Sequence, residues 1–136
     1  MNLTEAAALF VGIGAAYERN VHEALEKACV IIEDEAKSYP GAYQTGWDPL
    51  QPETIARKAN GDTPLLETGI MRGSIEHTVE GQSGYVGSND DVAVFMELGT
   101  SRGVPPRSFL ALAAQQKGEE AAHAIGSELF TKMIAP

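Results

Sequence analysis

The apolar residues Leu3, Ala6, Phe10, Ile13, Tyr17, Val21, Leu25, Ala28 and Ile32 recur at steps of three and four, the spacing of one face of an α-helix. Asn2, three positions before Glu5, supplies a capping box at the front, and Tyr39-Pro40-Gly41 is a strong stop. The pattern predicts one long amphipathic helix ending near Lys37-Ser38. Within it Gly12 and Gly14 form a Gly-x-Gly pair with no strand before it and no third glycine after it, which favours close packing or a local bend over a dinucleotide site. Glu33, Asp34 and Glu35 are consecutive, so they spread around the helix and do not converge on one point.

Beyond this helix the text is irregular from Gly41 to Asp62, apart from Pro52, which suits the first turn of a short helix with Glu53 behind it. Trp47 sits in a polar loop, either anchoring that loop on the core or serving as an interface hot spot. Thr63 to Ile75 reads as a helical turn broken at Gly69 and followed by a second short turn, with a strand beginning near Ser74. Ile75, His77 and Val79 alternate with polar neighbours, Gly81-Gln82-Ser83-Gly84 makes a turn, and Tyr85 to Ser88 starts the returning strand. His77 shares the apolar parity, which predicts a half-buried structural histidine. Asn89-Asp90-Asp91 caps a short helix, and Phe109 to Met133 carries a second long helical pattern that Gly118 weakens or bends. The expected fold is α+β, a single domain over 1–136, with long N- and C-terminal helices packed on a small antiparallel β-sheet with a β-hairpin.

The densest local instruction runs from Val92 to Leu110. An apolar run containing Glu97 stops at Gly99, the residue that most readily takes the left-handed conformation ending a helix. A polar loop follows, Pro105-Pro106 hold the backbone extended, and Arg107-Ser108 opens the next helix, giving helix, shaped loop, helix. A cation at the start of a helix opposes the helix dipole by up to ~1 kcal/mol. Glu97 is the nearest anion in sequence, so a Glu97–Arg107 pair across the loop is expected.

A net charge of -9 argues against a general nucleic-acid binder, which needs cations to displace counterions from phosphates. The single cysteine, Cys29, excludes an internal disulfide framework and any multi-cysteine zinc site, and it lies on the apolar stripe as a small hydrophobe. The apolar runs are too short to cross a bilayer and the N-terminus lacks a signal peptide's basic region, so a soluble protein made in the cytoplasm is expected. His22, His77 and His123 have no metal-ligand spacing, and neither a Gly-x-Ser-x-Gly elbow nor a phosphate-binding glycine loop is present. Ser74 and His77, three apart on a strand, fall on opposite faces. The expectation is no enzyme, with no catalytic, metal or cofactor residues.

Several runs taken in order carry a family signal: Trp47-x-Pro49-Leu50 with Thr54 and Lys58; Pro64-Leu65-Leu66-x-Thr68-Gly69-x-Met71-Arg72-x-Ser74-Ile75; Phe95-Met96-Glu97-Leu98-Gly99-Thr100; and Pro105-Pro106-Arg107-Ser108-Phe109-Leu110. The set resembles the virion morphogenesis and tail-completion proteins of long-tailed bacteriophages and covers about half of the chain in the family's order. Met96 stands where many relatives carry a histidine. The resemblance implies a structural protein at the head-tail junction, with no substrate and no cofactor. It would form a ring, of six copies, between the head connector or stopper protein and the tail terminator or tail tube. DNA would pass through the channel without specific binding and no membrane would be involved. The alternatives are a minor tail or capsid-associated component of a phage, prophage or gene-transfer particle, and a small cellular binding module. The expected location is the virion, assembled in the host bacterial cytoplasm. Trp47, Arg72, Glu97, Arg102, Arg107 and Phe109, with the 99–108 loop and exposed hairpin residues, are the expected subunit or partner contacts.

Overall fold

The computed structural model describes residues 2–59, 61–66 and 69–134, with the side chains of 9–15, 133 and 134 outside that description. Phe10, Ile13 and Met133 of the apolar series, the Gly12–Gly14 pair and Thr68 of the family-like runs therefore lie outside it. The chain is α+β. Helix α1 spans Leu3–Ser38, and two short helices follow, α2 (Pro52–Arg57) and α3 (Ile70–Gly73). Strands β1 (Ile75–Glu80) and β2 (Ser83–Ser88) form the hairpin, and α4 (Asp91–Leu98) and α5 (Leu110–Ile134) complete the order.

The predicted capping box holds α1 in place at its front: the Glu5 N–H donates to Asn2 Oδ1 at 2.8 Å, and the Asn2 N–H donates to Glu5 Oε2 at 2.9 Å. At the other end Tyr39 and Pro40 are buried and the chain turns away through Gly41, whose φ is +102°. Helix α5 packs antiparallel to α1, since Lys27 meets Glu128 while Glu23, one turn earlier, meets Lys132, one turn later. Buried positions on these two helices are mostly alanine (Ala24, Ala28 and Ala36 on α1; Ala113 and Ala121 on α5), which lets the backbones approach closely. Gly118 does not interrupt α5. The core sits at the C-terminal end of α1, where Ala36, Tyr39, Met71, Ile75, Ala93, Phe109 and Ala113 cluster.

Among its described side chains, the apolar face of α1 is covered unevenly. Ala28 is buried and Val21, Leu25 and Ile32 are half-buried, whereas Tyr17 is 52% exposed and Leu3 86% exposed. Helical periodicity specified the inward face from Val21 to Ile32; it carried no information on where along the helix that face is covered.

The hairpin differs from expectation in its turn. Glu80 pairs with Ser83 and Val79 with Gly84, so the turn is the two residues Gly81-Gln82, with Gly81 at φ +58°. Gly84 belongs to β2 because the strand lies hard against α1: a Cβ there would come within 2.6 Å of Cys29 Sγ. The expected helical turn before Gly69 is also absent over residues 63–66, which form a turn with Leu65 at φ +61°. Gly69 itself is left-handed (φ 84°, ψ -1°) and opens α3.

Candidate functional site

Three runs, 47–50 and, much later in the chain, 96–99 and 105–111, lock together into one knot. Asp90 caps α4, accepting from the Val92 N–H at 2.9 Å, and α4 delivers Glu97 to the front of α5. There the Glu97 carboxylate accepts from the Ser108 hydroxyl at 2.7 Å and from the backbone N–H groups of Phe109, Leu110 and Ala111 at 2.9–3.0 Å. Those N–H groups have no partner within the helix, and the positive end of the dipole points at the same place, so Glu97 serves α5 as a cap supplied from another element. Burial pushes its carboxyl pKa up, but the Ser108 hydroxyl and the three N–H groups outweigh burial and hold it below the usual carboxylate value.

The expected Glu97–Arg107 pair is therefore corrected: the dipole is answered by Glu97 directly, and Arg107 turns the other way. Arg107 is 5% exposed, and its guanidinium donates to the carbonyls of Asp48 at 2.9 Å and Pro49 at 3.2 Å. Its own N–H donates to the Met96 carbonyl at 2.7 Å. Trp47 Nε1 donates to the Ser108 carbonyl at 2.9 Å while its ring meets Tyr39 edge-on, 6.5 Å between centroids, so Trp47 anchors its loop on the core. Thr100 and Val104 close the loop between Gly99 and the two prolines: the Thr100 N–H donates to the Val104 carbonyl at 3.0 Å, and the Val104 N–H donates to Thr100 Oγ1 at 3.3 Å.

These placements sort the residues expected at interfaces. Phe109 is fully buried in the core and Arg107 nearly so, which makes both of them internal supports with no surface to offer a partner. Glu97 and Trp47 are half-buried and bonded within the chain, and Arg72 donates to the Pro40 carbonyl. Arg102, in the loop, is the one exposed residue of the six.

Beside the knot lies a concave surface that the sequence reading did not single out as a groove. An apolar groove of about 590 Å³ opens beside it, lined chiefly by Leu50, Leu65, Ile70, Val92, Met96 and Val104, with Lys58, Asp90 and Arg107 among the polar groups. Leu65 is the non-glycine residue at positive φ among the described residues, a conformation that costs about 1–3 kcal/mol and that clusters at binding sites. Ile70 on the rim is 71% exposed and Leu98, at the end of α4, 73%. The apolar content of α4 (Val92, Val94, Phe95, Met96, Leu98) on an eight-residue helix was the available signal, since only Ala93 of that helix is buried. Among the described residues, no group of three or more His, Cys, Asp or Glu side chains is arranged to hold a metal ion. None of the helices, over the described residues, is long and apolar enough to cross a membrane.

At the far side of α1, His77 is half-buried, as its strand parity predicts. Its Nε2 lies 2.7 Å from Glu26 Oε2 and its Nδ1 3.1 Å from Glu33 Oε2, tying β1 to α1. The hydrogen bond to Glu26 raises its pKa, burial lowers it, and Glu33 adds to the rise, for a net upward shift. A raised folded-state pKa contributes stability fully present below the ordinary histidine value of 6.5 and lost as pH rises through the folded value. Thermal melts from about pH 5.5 to about pH 9, spanning the histidine range, should therefore show a stability decline above 6.5 that His77→Gln abolishes. An unchanged slope in that variant would assign the decline elsewhere.

Comparison with family models, curated proteins and solved structures finds no match to this chain.

Proposed function

We propose that the chain is a structural protein of the head-tail interface in a long-tailed bacteriophage or a related prophage or gene-transfer particle, where it forms a ring joining the tail end to the head connector. The observation that carries this reading is the convergence of three family-like runs on one knot. Trp47 and the Asp48 and Pro49 carbonyls, Met96 and Glu97, and Arg107 to Phe109 hold one another, although about fifty residues separate the first run from the others.

A ring subunit has to present contact surfaces whose geometry exists before the neighbours arrive, because ordering a loop on binding subtracts from affinity. The 99–108 loop has that property: both of its sides are hydrogen-bonded, and the groove it borders is apolar and open. The role calls for no covalent chemistry. A net charge of -9 suits a channel along which DNA slides without adhering. The partners are other copies of the chain, the head connector or stopper protein, and the tail terminator or tail tube protein.

Gold labelling of an epitope-tagged version in intact particles tests the placement. Label confined to the junction of head and tail is the expected result. Label spread along the tail or over the capsid shell would contradict it and favour a minor tail or capsid-associated component.

A further inference from the structure

We infer that His77 is a proton-operated pin: charged, it seats the hairpin on α1, and neutral, it lets the outer half of the hairpin lift from the helix. The inference goes beyond the head-tail reading and does not depend on it.

Geometry sets the protonation state that the seat requires. Both ring nitrogens of His77 face carboxylate oxygens, Nε2 at 2.7 Å from Glu26 Oε2 and Nδ1 at 3.1 Å from Glu33 Oε2. An ionised carboxylate accepts and does not donate, and a neutral imidazole has one N–H, so imidazolium is the form that fills both bonds. Loss of its proton breaks one bond and turns a ring lone pair toward a carboxylate. The bond to Glu26 is the weaker of the two. The Glu26 side chain is 40% exposed and can swing into water, with His22 Nε2 3.7 Å away, whereas Glu33 is 12% exposed and held by Lys37 at 3.5 Å. Neutral His77 therefore stays on Glu33 through its Nδ1–H and releases Glu26, which lies on the side of the hairpin turn.

The elements packed on β1 are α1, β2 and α3, and among the described residues they bring no further charge to the ring. On α1, burial and the two glutamates push the Cys29 thiol up, which keeps it neutral. On β2, Val86 stands opposite His77, and Tyr85 falls on the outer face with Thr78. Arg72 of α3 turns to the Pro40 carbonyl, and Glu76 and Glu80 of β1 alternate to the exposed face. Packing does not replace the pin. Ile75 holds the inner end of the hairpin in the core, but farther out the strand that lies on α1 does so through Gly84 against Cys29, with no side chain of its own to bury. Beyond Gly84 a cleft of about 430 Å³, lined by Glu18, Val21, His22, Gly81 and Gln82, lies between the turn and the helix.

Residue-resolved amide exchange of the wild-type protein from about pH 6 to about pH 8.5, corrected for the intrinsic pH dependence of exchange, tests this while nitrogen NMR follows the His77 ring. The amides of 78–85 should be less protected than those of α5 around Ala113, because they exchange through a local opening. Their protection should fall severalfold as pH rises, with the midpoint of the ring's own titration. Hairpin and α5 amides of equal protection would mean that the molecule opens only as a whole, and hairpin protection that stays constant while His77 titrates would mean that the ring is no pin; either result overturns the inference. Glu26→Gln supplies a second measurement, since it removes the charge that favours imidazolium and keeps an acceptor. The ring midpoint and the hairpin midpoint should move to lower pH together. A hairpin midpoint that stays in place while the ring midpoint moves would also overturn it.

Discussion

Replacing Gly99 by alanine is expected to destabilise the protein by about 3 kcal/mol, the sum of a backbone penalty and a steric one. Gly99 ends α4 with φ 75° and ψ 177°, outside the left-handed helical region expected from its place after an apolar run, and in a region that is essentially glycine-only. A Cβ there would also lie 2.8 Å from the Val104 carbonyl oxygen and 3.0 Å from the Pro106 ring. Neither neighbour yields cheaply: the Val104 carbonyl accepts the Thr100 N–H, and the proline ring is held by its own backbone. A chain of this size should lose roughly 10 °C in Tm, read by circular dichroism. A loss of under about 1 kcal/mol would mean that the loop adapts and is not pinned as described.

Glu97→Ala should cost a comparable amount, about 3 kcal/mol, because it strands the Ser108 hydroxyl and three N–H groups at the front of α5 together. Glu97→Gln keeps the shape and one acceptor oxygen and should cost about half as much. The pair of variants separates the shape of the cap from its charge. Since the Glu97 carboxyl is held below its ordinary value of 4.5, its contribution is present above that value and is lost as pH falls through the folded value. The acid limb of the stability profile should therefore flatten in Glu97→Gln, while the limb above 6.5 belongs to His77. An acid limb identical in wild type and Glu97→Gln would show that the carboxylate does not carry the cap.

Local chemistry made much of the architecture legible. Asn2 and Glu5 fix the start of α1, Tyr39-Pro40-Gly41 its end, and Pro52 the start of α2, because caps and stops act through the nearest few residues. The β1 alternation placed Ile75 in the core and His77 half in it for the same reason. What could not be read depended on partners distant along the chain. Gly84 looks like a turn residue until Cys29 is seen against it. Glu97 could answer either a guanidinium or a helix N-terminus, and sequence distance favours neither. Arg107 binds backbone carbonyls at Asp48 and Pro49, and every residue has a carbonyl, so nothing in the residue types marks those two. The groove escaped notice for a related reason: an apolar α4 predicts burial, and only the assembled fold leaves Val92 and Met96 on the groove wall and Val94, Phe95 and Leu98 exposed elsewhere on the helix.

The head-tail role is tested most directly by electron microscopy of particles produced with this gene deleted, followed by addition of the purified chain. Filled heads and finished tails accumulating side by side, unjoined, are expected, with joined particles once the wild-type protein is supplied. Normal joined particles from the deletion would contradict it, and absence of tails would move the protein to an earlier step of tail assembly.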